Sequence, residues 1–263
     1  MSGYIVTWDE VASSTIPDLY VTRVERGMWG EVRDSRISMP GRDGAWLFTE
    51  NRGLRRITAE LVRVRSSGER LRETVVDIAD WLDKSGEKRL VFDDQPDRYW
   101  KAALASAPSV DEWMMLGKAT VEWLAQPYAF AVSLSEVCAS ATSGGSHSWT
   151  PDDQIEAYPE VVITSNGGAA SGIEFTMNGD TLTFDSAIGN GQSLTISSLS
   201  YTAITSPSID TDLTGAFDPG ALVMAPVSGD FPLLLPGSNS WTVTYTGSAT
   251  SVTVCVRWRR RYR

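Results

Sequence analysis

Val252-Thr253-Val254-Cys255-Val256-Arg257-Trp258-Arg259-Arg260-Arg261-Tyr262-Arg263 closes the chain, and two readings compete for it. Five arginines crowded into one end suggest a disordered basic tail. The period of two says otherwise. Val252, Val254, Val256, Trp258, Arg260 and Tyr262 fall on one face, and Thr253, Cys255, Arg257, Arg259, Arg261 and Arg263 on the other. The expectation is a strand with a basic face, whose Arg257, Arg259, Arg261 and Arg263 meet acids on neighbouring strands, on the other domain or on another subunit. The end of the chain is then part of a sheet, and the segment before it must supply the other strands.

That segment contains no Lys or Arg between Ala119 and Val256. It is rich in Gly, Ser and Thr, and from Tyr158 onward short β-branched runs recur at residues 160–164, 172–177, 180–185, 193–196 and 240–245. This spacing fits an all-β sandwich. Asn178-Gly179 and Asn190-Gly191 stand between runs as hairpin turns do. Residues 140–148 are Ser/Gly/Thr-rich and read as a loop near a domain border.

Upstream the chain is dense in both charges. Residues 4–8, 19–25, 57–65, 88–92, 98–105 and 117–125 read as strands, with a turn at 93–97. Leu71, Val75, Ile78 and Leu82 form a stripe at helical spacing, predicting one helix over about residues 69–84 with Trp81 in the core. The expected fold class is mainly β with one helix. An α+β domain spans 1–135 and a β-sandwich spans 136–263.

At 263 residues each half can bury its own core. The net charge of −10 argues against stable nucleic-acid binding, which depends on clustered cations. No apolar run approaches the roughly 20 residues of a membrane span, so no membrane anchor is expected. The opening residues have neither a basic nor an apolar leader region, so a protein made and soluble in a cytoplasm is expected. Cys138 and Cys255 are too few for a disulfide framework and read as two free or packed thiols.

Catalytic signatures are scarce. There is no phosphate loop, dinucleotide fingerprint, H-E-x-x-H or G-x-S-x-G. The single histidine, His147, sits in a loop-like segment with no residue indicated to orient it. Asp93-Asp94 and Asp152-Asp153 are visible acid pairs, and turn propensity already accounts for both. Asp180, Asp185, Asp210 and Asp212 lack a calcium-loop frame. No catalytic residue, metal or cofactor is assigned, although a hydrolase with carboxylates brought together only in space remains a competing class. Among ten tryptophans, Trp149 and Trp241 are the candidate glycan contacts of the second domain, with packing the favoured role for each.

Three passages in combination resemble the distal tail protein family, also called tail or baseplate hub proteins, of phages with long non-contractile tails. The first is Met39-Pro40-Gly41-Arg42-Asp43-Gly44 followed by Arg56-Ile57-Thr58-Ala59-Glu60-Leu61. The second is the helix leading into Leu90-Val91-Phe92-Asp93-Asp94-Gln95-Pro96-Asp97-Arg98-Tyr99-Trp100-Lys101-Ala102, and then residues 117–128. The third is Phe231-Pro232-Leu233-Leu234-Leu235-Pro236-Gly237-Ser238-Asn239-Ser240-Trp241 with the closing basic strand. The resemblance implies a β-sandwich-like first domain with an extended hairpin, six copies of which form a ring. It implies a galectin-like or jelly-roll second domain, a place at the virion tail tip between the tail tube and the tail-tip protein, and a lumen that DNA crosses on ejection. Synthesis would take place in the host bacterial cytoplasm. For the subunit contact the expected hairpin spans about residues 30–55, with Arg33, Arg36, Arg42, Asp43, Arg52 and Arg55 facing the next copy. The alternative is a carbohydrate-binding surface protein that aids host adsorption through the second domain and contacts host-surface polysaccharide.

Overall fold

The computed structural model describes residues 3–33, 36–38, 43, 45–47, 51–64, 71–106, 110–113, 116–205, 225 and 227–263. The chain divides into two compact units, residues 1–132 and 133–262.

The first unit opens with β1 (Val6–Trp8), β2 (Val11–Ala12) and β3 (Leu19–Arg26). Four short strands follow: β4 (Val32–Arg33), β5 (Arg36–Ser38), β6 (Ala45–Leu47) and β7 (Asn51–Arg52). Then come β8 (Arg55–Val64), α1 (Leu71–Leu82), β9 (Lys88–Phe92), β10 (Gln95–Leu104), β11 (Val110–Trp113), β12 (Leu116–Ala125) and β13 (Ala129–Ala131). The main sheet runs β2-β1-β9-β10-β12-β8-β3. The amide of Tyr4, two residues before β1, donates to the Val21 carbonyl on β3 at 3.0 Å, so the far ends of this order meet and the sheet curls back on itself.

Alternation explains which face is inside. Ile57, Ala59 and Leu61 on β8 are buried, and on β12 Val121 pairs with Ala59 and Trp123 with Ile57. Trp8 and Trp123 lie 6.0 Å apart between ring centroids, and Phe92 meets Trp100 edge-on at 5.5 Å. The helix buries Ile78, Trp81 and Leu82 and exposes Val76; the Trp81 indole N–H donates to the Val11 carbonyl at 3.0 Å. The expected first residues of the helix, 69 and 70, lie outside the described residues, as do the side chains of Leu71 and Val75. The turn expected at 93–97 is shorter than that. β10 starts at Gln95, and a register shift between Gln95 and Trp100 absorbs the extra residues.

In the second unit, β14 (Ser135–Ala141) and β15 (Gly145–Trp149) precede β16 (Glu160–Asn166), β17 (Ala170–Met177), β18 (Asp180–Ile188), β19 (Ser193–Ser197) and β20 (Thr202–Thr205). β21 (Val227–Gly229), β22 (Asn239–Gly247), β23 (Ser251–Trp258) and β24 (Arg261–Tyr262) complete it. Sheets β14-β23-β16-β19-β20 and β15-β22-β17-β18-β21 share one apolar cluster, to which both contribute: Val161, Ile163, Val254 and Val256 from the first, Phe175, Phe184, Trp241 and Val243 from the second. This is a β-sandwich.

Several expectations are corrected here. Residues 140–148 span the end of edge strand β14, a turn at 142–144 and most of edge strand β15, with Val137, Ala139 and Ala141 packed inward; Ser140, Ser146 and Ser148 face solvent on the strands, and Thr142, Ser143 and Gly144 make the turn. Asn178-Gly179 does close a hairpin, with φ of 54° and 103°, between β17 and β18. Asn190-Gly191 does not. It joins β18 in one sheet to β19 in the other, and the Asn190 side-chain oxygen accepts from the Gly167 amide at 2.8 Å. The closing strand stops at Trp258, so its alternation holds through Arg257 and breaks at Arg259 and Arg260. Cys138 and Cys255 are not free thiols. They stand directly opposite on β14 and β23, with Cα atoms 4.1 Å apart, and form a disulfide. Counting cysteines missed this because a cross-strand register, not number or spacing, brings them together.

Candidate assembly surfaces

The first unit carries two short two-stranded ladders outside its main sheet, here called the arm. β5 pairs with β6 and β4 with β7, a nested antiparallel hairpin whose root is closed by short backbone bonds. The Gly53 amide donates to the Glu31 carbonyl at 2.6 Å, and the Glu31 amide to the Leu54 carbonyl at 3.2 Å. The two chains cross so closely that a Cβ at Gly30 would sit 2.1 Å from the Gly53 oxygen. Only glycine fits there.

At this root the expected contact arginines part company. Arg55 is 4% exposed, and its guanidinium donates to the Met28 carbonyl at 2.6 Å; burial draws its pKa below the ordinary arginine value. It shapes its own subunit and cannot face the next one, which corrects the expectation for this residue. Arg33 and Asp43 are exposed, and Arg52 is half-buried with its guanidinium 5.7 Å from the Trp29 ring centroid. Arg36 lies on β5 with its side chain outside the described residues, and Arg42 lies outside them altogether. Sequence reasoning overlooked the apolar residues at the root. Met28 is 79% and Trp29 60% exposed, with Val32 and Leu54 exposed beside them.

In the second unit the terminal arginines find partners inside the unit. Arg257 stands opposite Glu136 on β14 and Glu160 on β16, with nitrogen–oxygen distances of 2.5 Å and 3.8 Å. Arg260 approaches Asp152 at 3.7 Å and Asp153 at 3.9 Å. Arg261 donates to the Glu156 carbonyl at 2.9 Å and lies over the Tyr158 ring. Arg259 is half-buried and Arg263 exposed. Asp153 is no mere turn residue: its side chain is fully buried, and one oxygen accepts from the Trp258 indole at 2.6 Å. Burial pushes its pKa up, the Trp258 hydrogen bond and Arg260 pull it down, neighbouring Asp152 raises it further, and the balance is upward.

The glycan candidates are inside or nearly so. Trp241 is 1% exposed in the sandwich core, so it offers no face to a sugar. Trp149 is half-buried and packs on that core, with its ring 6.2 Å from His147 in a stacked pair and its indole nitrogen buried without a partner. His147, expected in a loop, is on strand β15 opposite Trp241. Among the described residues, the group with ligand atoms near enough for a metal is Glu136, Cys138 and Cys255, and the disulfide occupies two of those three. Asp94 pairs with Arg26 at 2.7 Å, while Asp210 and Asp212 lie outside the described residues.

Residues 22–125 match the model of the phage tail protein RIFT-related domain. No curated protein matches the sequence. The fold of the whole chain is similar to the crystal structure of the SPP1 Dit (gp 19.1) protein, described as a paradigm of the hub adsorption apparatus in phages that infect Gram-positive bacteria. The two align at a TM-score of 0.75 over 100% of each chain with 15% identity. Two structures of a phage p2 baseplate in its activated conformation, with strontium and with calcium, align over 97% of each chain at TM-scores of 0.44 and 0.46 and identities of 11% and 10%. The domain match is to a phage-tail family, and the fold is the one that the sequence resemblance implies.

Proposed function

We propose that this chain is the distal tail hub of a siphophage, a structural protein without turnover. Six copies form a ring through the first unit at the virion tail tip, join the tail tube to the tail-tip protein, and leave a lumen for DNA during ejection. The chain is synthesised in the host cytoplasm and assembled there. The observation that carries this reading is the nested hairpin with an uncovered Met28 and Trp29 at its root, in the segment that matches the phage-tail domain. A ring of identical subunits needs two different complementary surfaces on each copy, and a mixed-charge unit with an arm supplies them. Arg33, Arg36, Arg42, Asp43 and Arg52 remain the arm's contact candidates; Arg55 sits inside its root.

A net charge of −10 suits a conduit that must not grip DNA. The carbohydrate reading keeps only Trp149, half-buried, so nothing favours it as a second function. Negative-stain imaging with mass photometry tests the proposal. A six-fold ring supports it, and a strict monomer at high concentration removes it.

A further inference from the structure

We infer that the Met28–Trp29 knob of one copy inserts into a cleft at the opposite end of β3 in a second copy of this chain. The inference rests on the ring reading above and names its contact. The cleft has a volume near 400 Å³, within the range of small ligand sites, and its walls include Tyr4, Ile5, Ile16, Pro17, Asp18 and Tyr20. Tyr4, Ile5 and Tyr20 are exposed around it, so its mouth is apolar and open.

Three observations point to a second copy as the occupant. The first is charge. Asp18 is the one charged residue among the cleft's described walls, while Trp29 is accompanied by the Arg52 guanidinium at 5.7 Å and by exposed Arg33. A cationic aromatic knob and an acid-rimmed apolar cleft are complementary. The second is placement. Leu19, Tyr20 and Val21 at the start of β3 line the cleft, and the same strand ends at Arg26, just before the knob. Tyr20 and Met28 are therefore roughly 25 Å apart along one strand, too far for the knob to fill its own cleft. A contact between unlike surfaces at two ends of one element is heterologous, the kind that closes rings. The third is rigidity. The knob's backbone is fixed by the buried Arg55, which donates to the Met28 carbonyl, and by the Gly27 amide bonded to the Arg56 carbonyl at 3.5 Å. A large aromatic held in place loses little entropy on docking, which is how an interface anchor works.

The test uses the full chain. Trp29→Ala removes the knob and Tyr20→Arg blocks the cleft; both positions are exposed, and circular dichroism melts check that each variant folds. Each alone is expected to weaken self-association by on the order of 30-fold or more. Mixed in equal amounts, the two variants should form a one-to-one dimer, because one intact knob and one intact cleft survive between them. Arg52→Glu should weaken assembly in the parent and much less in an Asp18→Asn background, which keeps the inference testable if Trp29→Ala fails to fold. A wild-type ring that persists in Trp29→Ala and Tyr20→Arg overturns this contact and leaves the ring reading standing. A wild-type chain that stays monomeric overturns both.

Discussion

The two units treat their surfaces in opposite ways. Of the fourteen large apolar side chains exposed among the described residues, ten belong to the first unit, including the most uncovered, Met28 at 79%, and its neighbour Trp29 at 60%; the second unit's most uncovered is Tyr201 at 69%. The second unit turns inward. Its arginines at 257, 260 and 261 are engaged by Glu136, Glu160, Asp152, Asp153 and the Glu156 carbonyl, and a disulfide ties its edge strand to the adjoining one. A surface that satisfies itself has little reason to self-associate, and one that leaves an indole uncovered has good reason. The contrast teaches that the arginine-rich terminus, the most conspicuous feature of the sequence, closes a sandwich, while the quieter Met28-Trp29 dipeptide is the better candidate for assembly.

The hardest test of this division is Trp241→Ala. Trp241 is fully buried among Phe175, His147 and the paired Met177, so truncation should cost about 3–5 kcal/mol through lost burial and a cavity. Chemical denaturation followed by tryptophan fluorescence should show the second unit's transition shifted by that amount and the first unit's unmoved. Equal shifts in both would mean that the units do not stabilise independently.

Next in size is the disulfide. It spans a sequence separation of 117 residues and should contribute about 2–4 kcal/mol to the second unit. Reductant, or Cys138→Ser with Cys255→Ser, should lower that unit's denaturation midpoint and leave self-association unchanged. A fall in assembly on reduction would break the separation of roles.

Gly30→Ala acts on the other side of the comparison. A Cβ 2.1 Å from the Gly53 oxygen must force the hairpin root open, at about 1–3 kcal/mol to the first unit. The arm and the knob share that root, so assembly measured by mass photometry should fall by more than the stability loss alone implies. Unchanged assembly would take the root out of the contact.

How much of this is legible in the sequence depends on whether neighbours along the chain or across the sheet decide the outcome. Residues 88–92 read as a strand because two faces and a following turn are local facts, and the helix over Ile78, Trp81 and Leu82 is equally local. The strands β14 and β15 are hidden because a solvent-facing edge strand tolerates the Ser, Gly and Thr that signal loops. Arg55 and Arg33 look alike in sequence and differ only in which side of the hairpin root receives them, and Asp153 resembles its neighbour Asp152 until Trp258 folds over it. The Cys138–Cys255 pairing is a matter of cross-strand register, which composition does not carry.

Asp153→Asn is the smallest effect and the most specific. Its carboxylate is buried, accepts from the Trp258 indole, and has a second oxygen without a hydrogen bond, with Arg260 at 3.9 Å as weak compensation. Because its folded pKa is raised above the unfolded value, the native state holds the proton more tightly than the unfolded chain. Its contribution to stability is therefore fully present below the ordinary aspartate range and is lost as pH rises through the raised folded value. Above the raised folded value the ionised Asp153 is a cost that asparagine avoids while still accepting from the indole, so the variant should be neutral or slightly more stable there, by less than about 1 kcal/mol. Denaturation midpoints of the second unit measured from pH 4 to 8 should rise on acidification in the parent more than in Asp153→Asn, whereas first-unit midpoints should not differ between the two. A parent whose second unit gains stability with rising pH across this window would mean that Arg260 and the indole outweigh burial, and that this unit, too, depends on a charged pair held inside it.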